Sequence, residues 1–110
     1  MNDDDLRRLE TVGAHAEIPA GLVLIERGQY GTGVYVILDG TVLVEAPEGD
    51  LEFGPGALIG ERALVSPDGK RAARVRATTD LRVLAVDRGE FDRLCAEDPA
   101  LARRLVDAGA

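Results

Sequence analysis

From Ala14 onward, short runs of Val, Leu and Ile alternate with glycine and proline turns. Seven such runs are predicted strands: residues 22–25, 34–38, 41–45, 51–53, 57–59, 72–77 and 81–86. β-branched residues favour strands, and short strands at this spacing are typical of a sandwich or barrel. Asp39-Gly40 is the strongest hairpin signal of the chain, because a two-residue type I′ turn needs positive φ angles.

Helical patterns lie at both ends of the chain. Residues 5–12 predict a short N-terminal helix preceded by acids that suit its first turn. Asp87 and Glu90 form a capping-box-like pattern at the start of a later helix. Asp98 and Pro99 then begin a last helix, with proline at the first helical position, where its missing N–H costs nothing.

Length and composition narrow the class of protein. The chain has 110 residues, which is the size of one domain, and we expect a single domain over residues 1–110. Its 45% hydrophobic content favours a folded core, and its formal charge of -7 disfavours nucleic acid and anionic membranes as partners. The single cysteine excludes an internal disulfide, and no apolar run is long enough to span a bilayer. We therefore expect a cytoplasmic protein.

One segment reverses the overall acidic charge. Residues 69–79 contain Lys70, Arg71, Arg74 and Arg76 and no acidic residue. An acidic protein with one anionic ligand would need such a segment. The alternative is that Arg74 and Arg76 form the solvent-exposed face of an edge strand, where such charges discourage aggregation.

A possible anion site precedes the basic segment. Gly60 and Glu61 end a predicted strand and open a short apolar run. A helix that begins there presents free backbone N–H groups, and glycine lets a ligand approach the backbone closely. A carboxylate at Glu61 suits a sugar hydroxyl better than a phosphate. Alternatively, Gly60 merely ends a strand, and Glu61 and Arg71 form an exposed ion pair worth at most about 1 kcal/mol.

Two sequence stretches carry a family resemblance. GERAL at residues 60–64 and RAARV at residues 71–75 are similar to the phosphate-binding cassette of cyclic-nucleotide-binding domains, and residues 28–44 resemble the strand pair of that family. The family includes bacterial catabolite-activator-type regulators, protein kinase regulatory subunits and gated channels. The resemblance covers nearly the whole chain.

The resemblance implies a mainly β fold with flanking helices (α+β). It consists of an antiparallel β-roll or jelly-roll barrel of about eight strands, a short N-terminal helix, a cassette helix and two C-terminal helices. The implied ligand is cAMP or cGMP. Gly60, Ala63 and Ala72 would donate backbone N–H groups to it, Glu61 would accept the ribose 2′-hydroxyl, and Arg71 would pair with the phosphate oxygens.

The function implied is a regulatory sensor module without catalytic residues, metal or cofactor. It would relay binding through its C-terminal helices to a protein partner or a second copy. The last helix is short, and Arg103, Arg104 and Leu105 are the candidates to cap the base. The alternative is an adaptor domain that kept the fold and lost the ligand. A metal enzyme of the cupin type is disfavoured, because His15 has no second His or Cys nearby in the sequence.

Overall fold

The computed structural model describes residues 1–29, 31–60, 70–71 and 73–107. Within these residues lie three helices and eight strands. The helices are α1 (Asp3–Glu10), α2 (Arg88–Glu97) and α3 (Pro99–Asp107). The strands are β1 (Ala14–Ile18), β2 (Val23–Ile25), β3 (Gly33–Asp39), β4 (Val42–Ala46), β5 (Gly49–Phe53), β6 (Leu58–Ile59), β7 (Arg74–Ala77) and β8 (Leu81–Asp87).

The strands form two four-stranded sheets. The helix-covered sheet has the order β1-β8-β3-β6, and the second sheet has the order β2-β7-β4-β5. Every strand pair is antiparallel. This arrangement confirms the predicted antiparallel β-roll with flanking helices.

The two inner strands of the helix-covered sheet, β3 and β8, are buried on both faces over most of their length. Along β3, Val34 and Val36 belong to the core beneath the helices, whereas Ile37 belongs to the core between the two sheets. All three side chains are buried. This explains why the sequences of β3 and β8 are almost continuously apolar. A strand with one solvent-exposed face instead alternates apolar and polar residues.

The three helices share one core with that sheet. Leu9 of α1, Phe91 and Leu94 of α2, and Leu101 and Leu105 of α3 are all buried in it. None of the described helices is long and apolar enough to cross a membrane. Because the Leu105 side chain lies in this core, it is not free to cover the base of a ligand. The prediction of Leu105 as a base-capping residue is therefore wrong.

The hairpin predicted at Asp39-Gly40 is wrong. The strands on either side of it, β3 and β4, lie in different sheets and do not pair. Gly40 has a φ of 91°, but Asp39 has a negative φ, so the turn is not type I′. The turn instead carries the chain from one sheet to the other, close against the Asp80 carbonyl.

Two ion pairs join α1 to α3 and to Asp98, the residue directly before it. The carboxylate of Asp5, only 1% exposed, accepts two hydrogen bonds from Arg104, at 2.9 and 2.8 Å. Arg8 donates to Asp98 at 2.5 Å, and Asp98 in turn accepts from the backbone N–H of Leu101. Because Arg104 is engaged in this way, a second base-capping candidate is already occupied.

The N-terminal helix begins earlier than predicted because Asn2 caps it. The Asn2 side chain accepts from the Asp5 backbone N–H at 2.8 Å, and the Asp5 carboxylate accepts from the Asn2 backbone N–H at 3.2 Å. This is a reciprocal capping box. The acids of the predicted first turn are therefore inside the helix, and one of them is the buried partner of Arg104.

We expect Arg104→Gln to lower the thermal midpoint by roughly 5 °C, because it leaves the Asp5 carboxylate buried without its cation. The control is Arg103→Gln, which removes an exposed charge from the same helix and should shift the midpoint by less than about 2 °C. Calorimetry of both variants measures the difference. Equal midpoints would contradict a stabilising role for the pair.

The same pair predicts a dependence on pH. The hydrogen bond from Arg104 lowers the pKa of Asp5 below its ordinary value of 3.8. A lowered folded pKa means that the stabilisation is present above the pKa of the unfolded carboxyl and is lost as the pH falls through the folded pKa. The difference in thermal midpoint between the wild type and Arg104→Gln should therefore become smaller below pH 3.8.

Candidate functional site

Arg71 is fixed by its backbone next to the turn that follows β2. Its N–H donates to the Gln29 carbonyl at 2.7 Å, and its carbonyl accepts from the Gly28 N–H at 2.9 Å. Its side chain is only 8% exposed. The backbone pairing therefore directs a cation into the interior of the protein.

The guanidinium of Arg71 lies between two glycine carbonyls. Nη1 donates to the Gly60 carbonyl at 2.6 Å, and Nη2 donates to the Gly33 carbonyl at 2.8 Å. Among the described residues, no carboxylate pairs with it. Burial lowers the pKa of Arg71, and the nearby Tyr35 opposes this with a smaller effect. The site thus holds a buried positive charge that its described protein partners solvate but do not neutralise.

Gly60 has to be glycine for two separate reasons. Its φ is +97°, a conformation that side chains rarely adopt. A Cβ atom at this position would also lie 2.6 Å from Nη1 of Arg71. The absent side chain leaves the space in which the guanidinium reaches the Gly60 carbonyl.

A cleft gives Arg71 an opening to solvent. It has a volume of about 370 Å³, and Thr32, Gly33, Tyr35 and Ala85 line it together with Arg71. Gly33 and Ala85 contribute no large side chain to this lining. A small polar molecule can therefore approach the buried cation.

Comparison with known proteins shows the family of the chain. The sequence model of the family described as "Cyclic nucleotide-binding domain" matches residues 15–98. The chain belongs to the cyclic nucleotide-binding domain family. This match confirms the resemblance seen in the sequence, and it includes Gly33, Gly60 and Arg71.

Relatives of several kinds contain this domain. The chain is 36% identical to a cyclic nucleotide-gated potassium channel of Mesorhizobium japonicum over 77% of its own length and 23% of the channel. It is 34% identical to the Pycsar effector protein PaPycTIR of Pseudomonas aeruginosa over 96% of its length and 36% of that protein. The chain thus spans about a quarter to a third of these curated relatives.

Solved structures show the same domain. One, from work on a cyclic-GMP-dependent signalling pathway that regulates bacterial phytopathogenesis, has a TM-score of 0.84 at 29% identity, covering 97% of this chain and 89% of that one. The catabolite activator protein of Thermus thermophilus has a TM-score of 0.79 at 25% identity, covering 97% of this chain and 53% of that one. The similarity to both extends over almost the entire chain.

The structure brings together two of the five predicted site residues of this cyclic nucleotide-binding domain. Gly60 and Arg71 are hydrogen-bonded to each other, although through the Gly60 carbonyl rather than its N–H. Glu61, Ala63 and Ala72 lie outside the described residues. The ligand contacts assigned to all five residues stay predictions.

Two other arginines of the basic segment are structural. Arg74 donates to Glu26 at 2.8 Å and Arg76 donates to Glu45 at 2.9 Å. Both arginines lie on β7, which is an inner strand of the second sheet, between β2 and β4. For these two residues the exposed-face alternative is correct, except that β7 is not an edge strand.

Gly33 is a residue of the site that the sequence prediction missed. It stands in Gly31-Thr32-Gly33, a stretch that lacks the third glycine of a dinucleotide fingerprint. Its contribution is a backbone carbonyl, which has no side-chain signature. The available signal was a glycine at the start of the buried strand β3.

We expect Gly60→Ala to destabilise the protein more than Gly56→Ala does. Both glycines have positive φ, +97° and +91°, but a Cβ at Gly56 meets nothing within 4 Å. The control therefore carries only the backbone strain, about 1–2 kcal/mol. Gly60→Ala should cost about 1 kcal/mol more, because it displaces a charged hydrogen bond.

Urea unfolding of the two variants in wild-type and Arg71→Ala backgrounds measures this excess. The excess should become smaller when Arg71 is absent, since the 2.6 Å contact is gone and only the milder contacts with Ile25 Cδ1 at 3.2 Å and the Gly33 carbonyl oxygen at 3.3 Å remain. An equal cost for Gly56→Ala and Gly60→Ala in the wild-type background would show that Arg71 does not occupy this space.

Proposed function

We propose that this domain binds a cyclic nucleotide, cAMP or cGMP, and passes the binding event through α2 and α3 to a protein partner or a second copy. The observation that carries the proposal is the guanidinium of Arg71. It is buried, and its described partners are two neutral carbonyls. A cyclic phosphate has one negative charge and oxygens that suit a guanidinium fork.

Arg71 cannot supply the whole affinity. A hydrogen bond to a charged group contributes about 1.5–3 kcal/mol, whereas a micromolar ligand needs about 8 kcal/mol. The ribose and the base must provide the remainder. Gly60, Glu61, Ala63 and Ala72 are the proposed partners of the phosphate and ribose, in agreement with the family pattern.

Leu51 offers an apolar surface for the base. It pairs with Val44 on β4, which in turn pairs with the buried Val75 on β7, so the three side chains share the inward face of the second sheet. Leu51 is nevertheless 63% exposed. It lies two strands from β7, or about 10 Å. Because β7 begins three residues after Arg71 in the sequence, we place the base along this sheet, between Arg71 and Leu51.

The start of β3 connects the site to α2. The Thr32 carbonyl accepts from the backbone N–H of Arg88, the first residue of α2, at 2.9 Å. Gly33 is in register with Asp87, which caps α2 by accepting from the Glu90 N–H. A ligand bound to Arg71 therefore acts on a segment that is hydrogen-bonded to this helix. Such a shift would appear as a population change in α2 and α3.

The relatives support a regulatory module and not a catalyst. A cyclic nucleotide-gated channel and a catabolite activator protein both contain the same domain. In this proposal the domain has no catalytic residue, no metal and no cofactor other than the nucleotide it senses. The action of the whole protein depends on the partner that α2 and α3 contact.

The experiment is thermal unfolding with and without millimolar cAMP or cGMP. A ligand at 100 times its dissociation constant adds about 2.7 kcal/mol, which shifts the midpoint by several degrees in a domain of this size. Arg71→Ala should lose at least about tenfold in affinity. The control is Arg76→Ala, an arginine paired with Glu45 on the second sheet, which should keep the ligand shift.

The same experiment decides between the sensor and the adaptor. A midpoint that moves with cAMP or cGMP in the wild type and in Arg76→Ala, but not in Arg71→Ala, supports the sensor. No shift with either nucleotide in the folded wild type contradicts it and leaves the adaptor.

A further inference from the structure

We propose that Gly33 is a positioning residue for Arg71, setting the plane of the guanidinium that meets the ligand phosphate. The inference rests on the proposed function and adds to it a residue outside the cassette. Gly33 begins β3 and accepts a hydrogen bond from Nη2 of Arg71 at 2.8 Å. Its carbonyl and that of Gly60 hold the two terminal nitrogens of one guanidinium.

Two fixed acceptors define the orientation of a planar group. A guanidinium held at one nitrogen can still rotate, but one held at both Nη1 and Nη2 cannot. The second N–H of each nitrogen and the Nε–H remain available to other acceptors. Bidentate recognition of a phosphate depends on this orientation, because two parallel bonds must form together.

Only glycine fits where the Gly33 carbonyl is needed. A Cβ atom would lie 2.4 Å from the Val86 carbonyl oxygen and 3.1 Å from Cα of Asp87. Both atoms belong to the backbone of β8, which cannot move aside as a flexible side chain would. A side chain at position 33 would therefore push the start of β3 away from β8 and displace the carbonyl that holds Nη2.

The test compares Gly33→Ala with Gly40→Ala. At Gly40 a Cβ would also lie 2.4 Å from a backbone carbonyl, that of Asp80, but this turn makes no contact with Arg71. Both variants should lose stability. Calorimetric titration with cAMP and cGMP should show a loss of about fivefold or more for Gly33→Ala and an unchanged affinity for folded Gly40→Ala. Equal affinities for the two variants would overturn the proposal.

A double-mutant comparison separates positioning from general damage. In the Arg71→Ala background, Gly33→Ala should cost no further affinity, since there is no guanidinium left to orient. The same loss in both backgrounds would show that Gly33 acts through the fold alone.

Arg71→Lys tests the orientation in a chain that keeps Gly33. The lysine ammonium is a point charge and cannot bridge two carbonyls and a phosphate as a planar fork does. It should bind cyclic nucleotide nearly as weakly as Arg71→Ala. Affinity equal to that of the wild type would show that orientation is irrelevant and overturn the proposal, even where Gly33→Ala fails to fold.

A measurement without nucleotide distinguishes failure of this inference from failure of the proposed function. In the NMR spectrum of the free protein, the Nη1 and Nη2 groups of Arg71 should give separate signals in the wild type and one averaged signal in Gly33→Ala. Averaged signals in the wild type would overturn the positioning role. Separate signals in a protein that binds neither cAMP nor cGMP would support the positioning while contradicting the sensor.

Discussion

The hydrogen bonds from the Arg71 guanidinium to the carbonyls of Gly33 and Gly60 are the contacts on which the site depends. Taking a guanidinium out of water costs several kcal/mol, and neutral carbonyls return only part of that. The protein keeps this charge buried, although a hydrophobic side chain would pack there at lower cost. Among the described residues nothing neutralises the charge, and this is the reason for proposing that an anionic ligand completes the site.

The fold makes these contacts possible by bringing three distant segments to one point. Arg71 is anchored to the turn after β2, Gly33 begins a strand buried on both faces, and Gly60 follows β6 on the same sheet. Close approach requires glycine at both positions, but for different reasons: backbone crowding by β8 at Gly33, and positive φ together with the guanidinium itself at Gly60. α2 begins directly after β8 ends, and Gly33 is in register with Asp87, the last residue of β8. The site is therefore next to the start of α2.

Local patterns in the sequence predicted the fold class and most elements, because strand runs, helix caps and the proline of α3 act over a few residues. Asp39-Gly40 shows the limit. The turn signal was real, yet neighbouring residues cannot specify whether the next strand pairs with the last or enters another sheet. Arg74 and Arg76 show a similar limit, since their partners Glu26 and Glu45 lie far away in the sequence.

For the site, the family pattern pointed to Gly60 and Arg71, and the structure places the two in contact. Gly33 could not be predicted in the same way, because it acts through its backbone carbonyl. Every residue has such a carbonyl, so the residue type does not indicate this role. The ion pair of Asp5 and Arg104 was missed for a comparable reason. Its residues are separated by almost the whole chain, and acids near a helix start are adequately explained by capping alone.

The most direct test is a crystal structure of the domain with cAMP or cGMP bound. The account predicts that Nη1 or Nη2 of Arg71 lies about 2.8 Å from a phosphate oxygen. It also predicts that the hydrogen bonds to the Gly33 and Gly60 carbonyls persist in the complex. A nucleotide bound with its phosphate away from Arg71, or an Arg71 that leaves both carbonyls to reach it, would contradict the account.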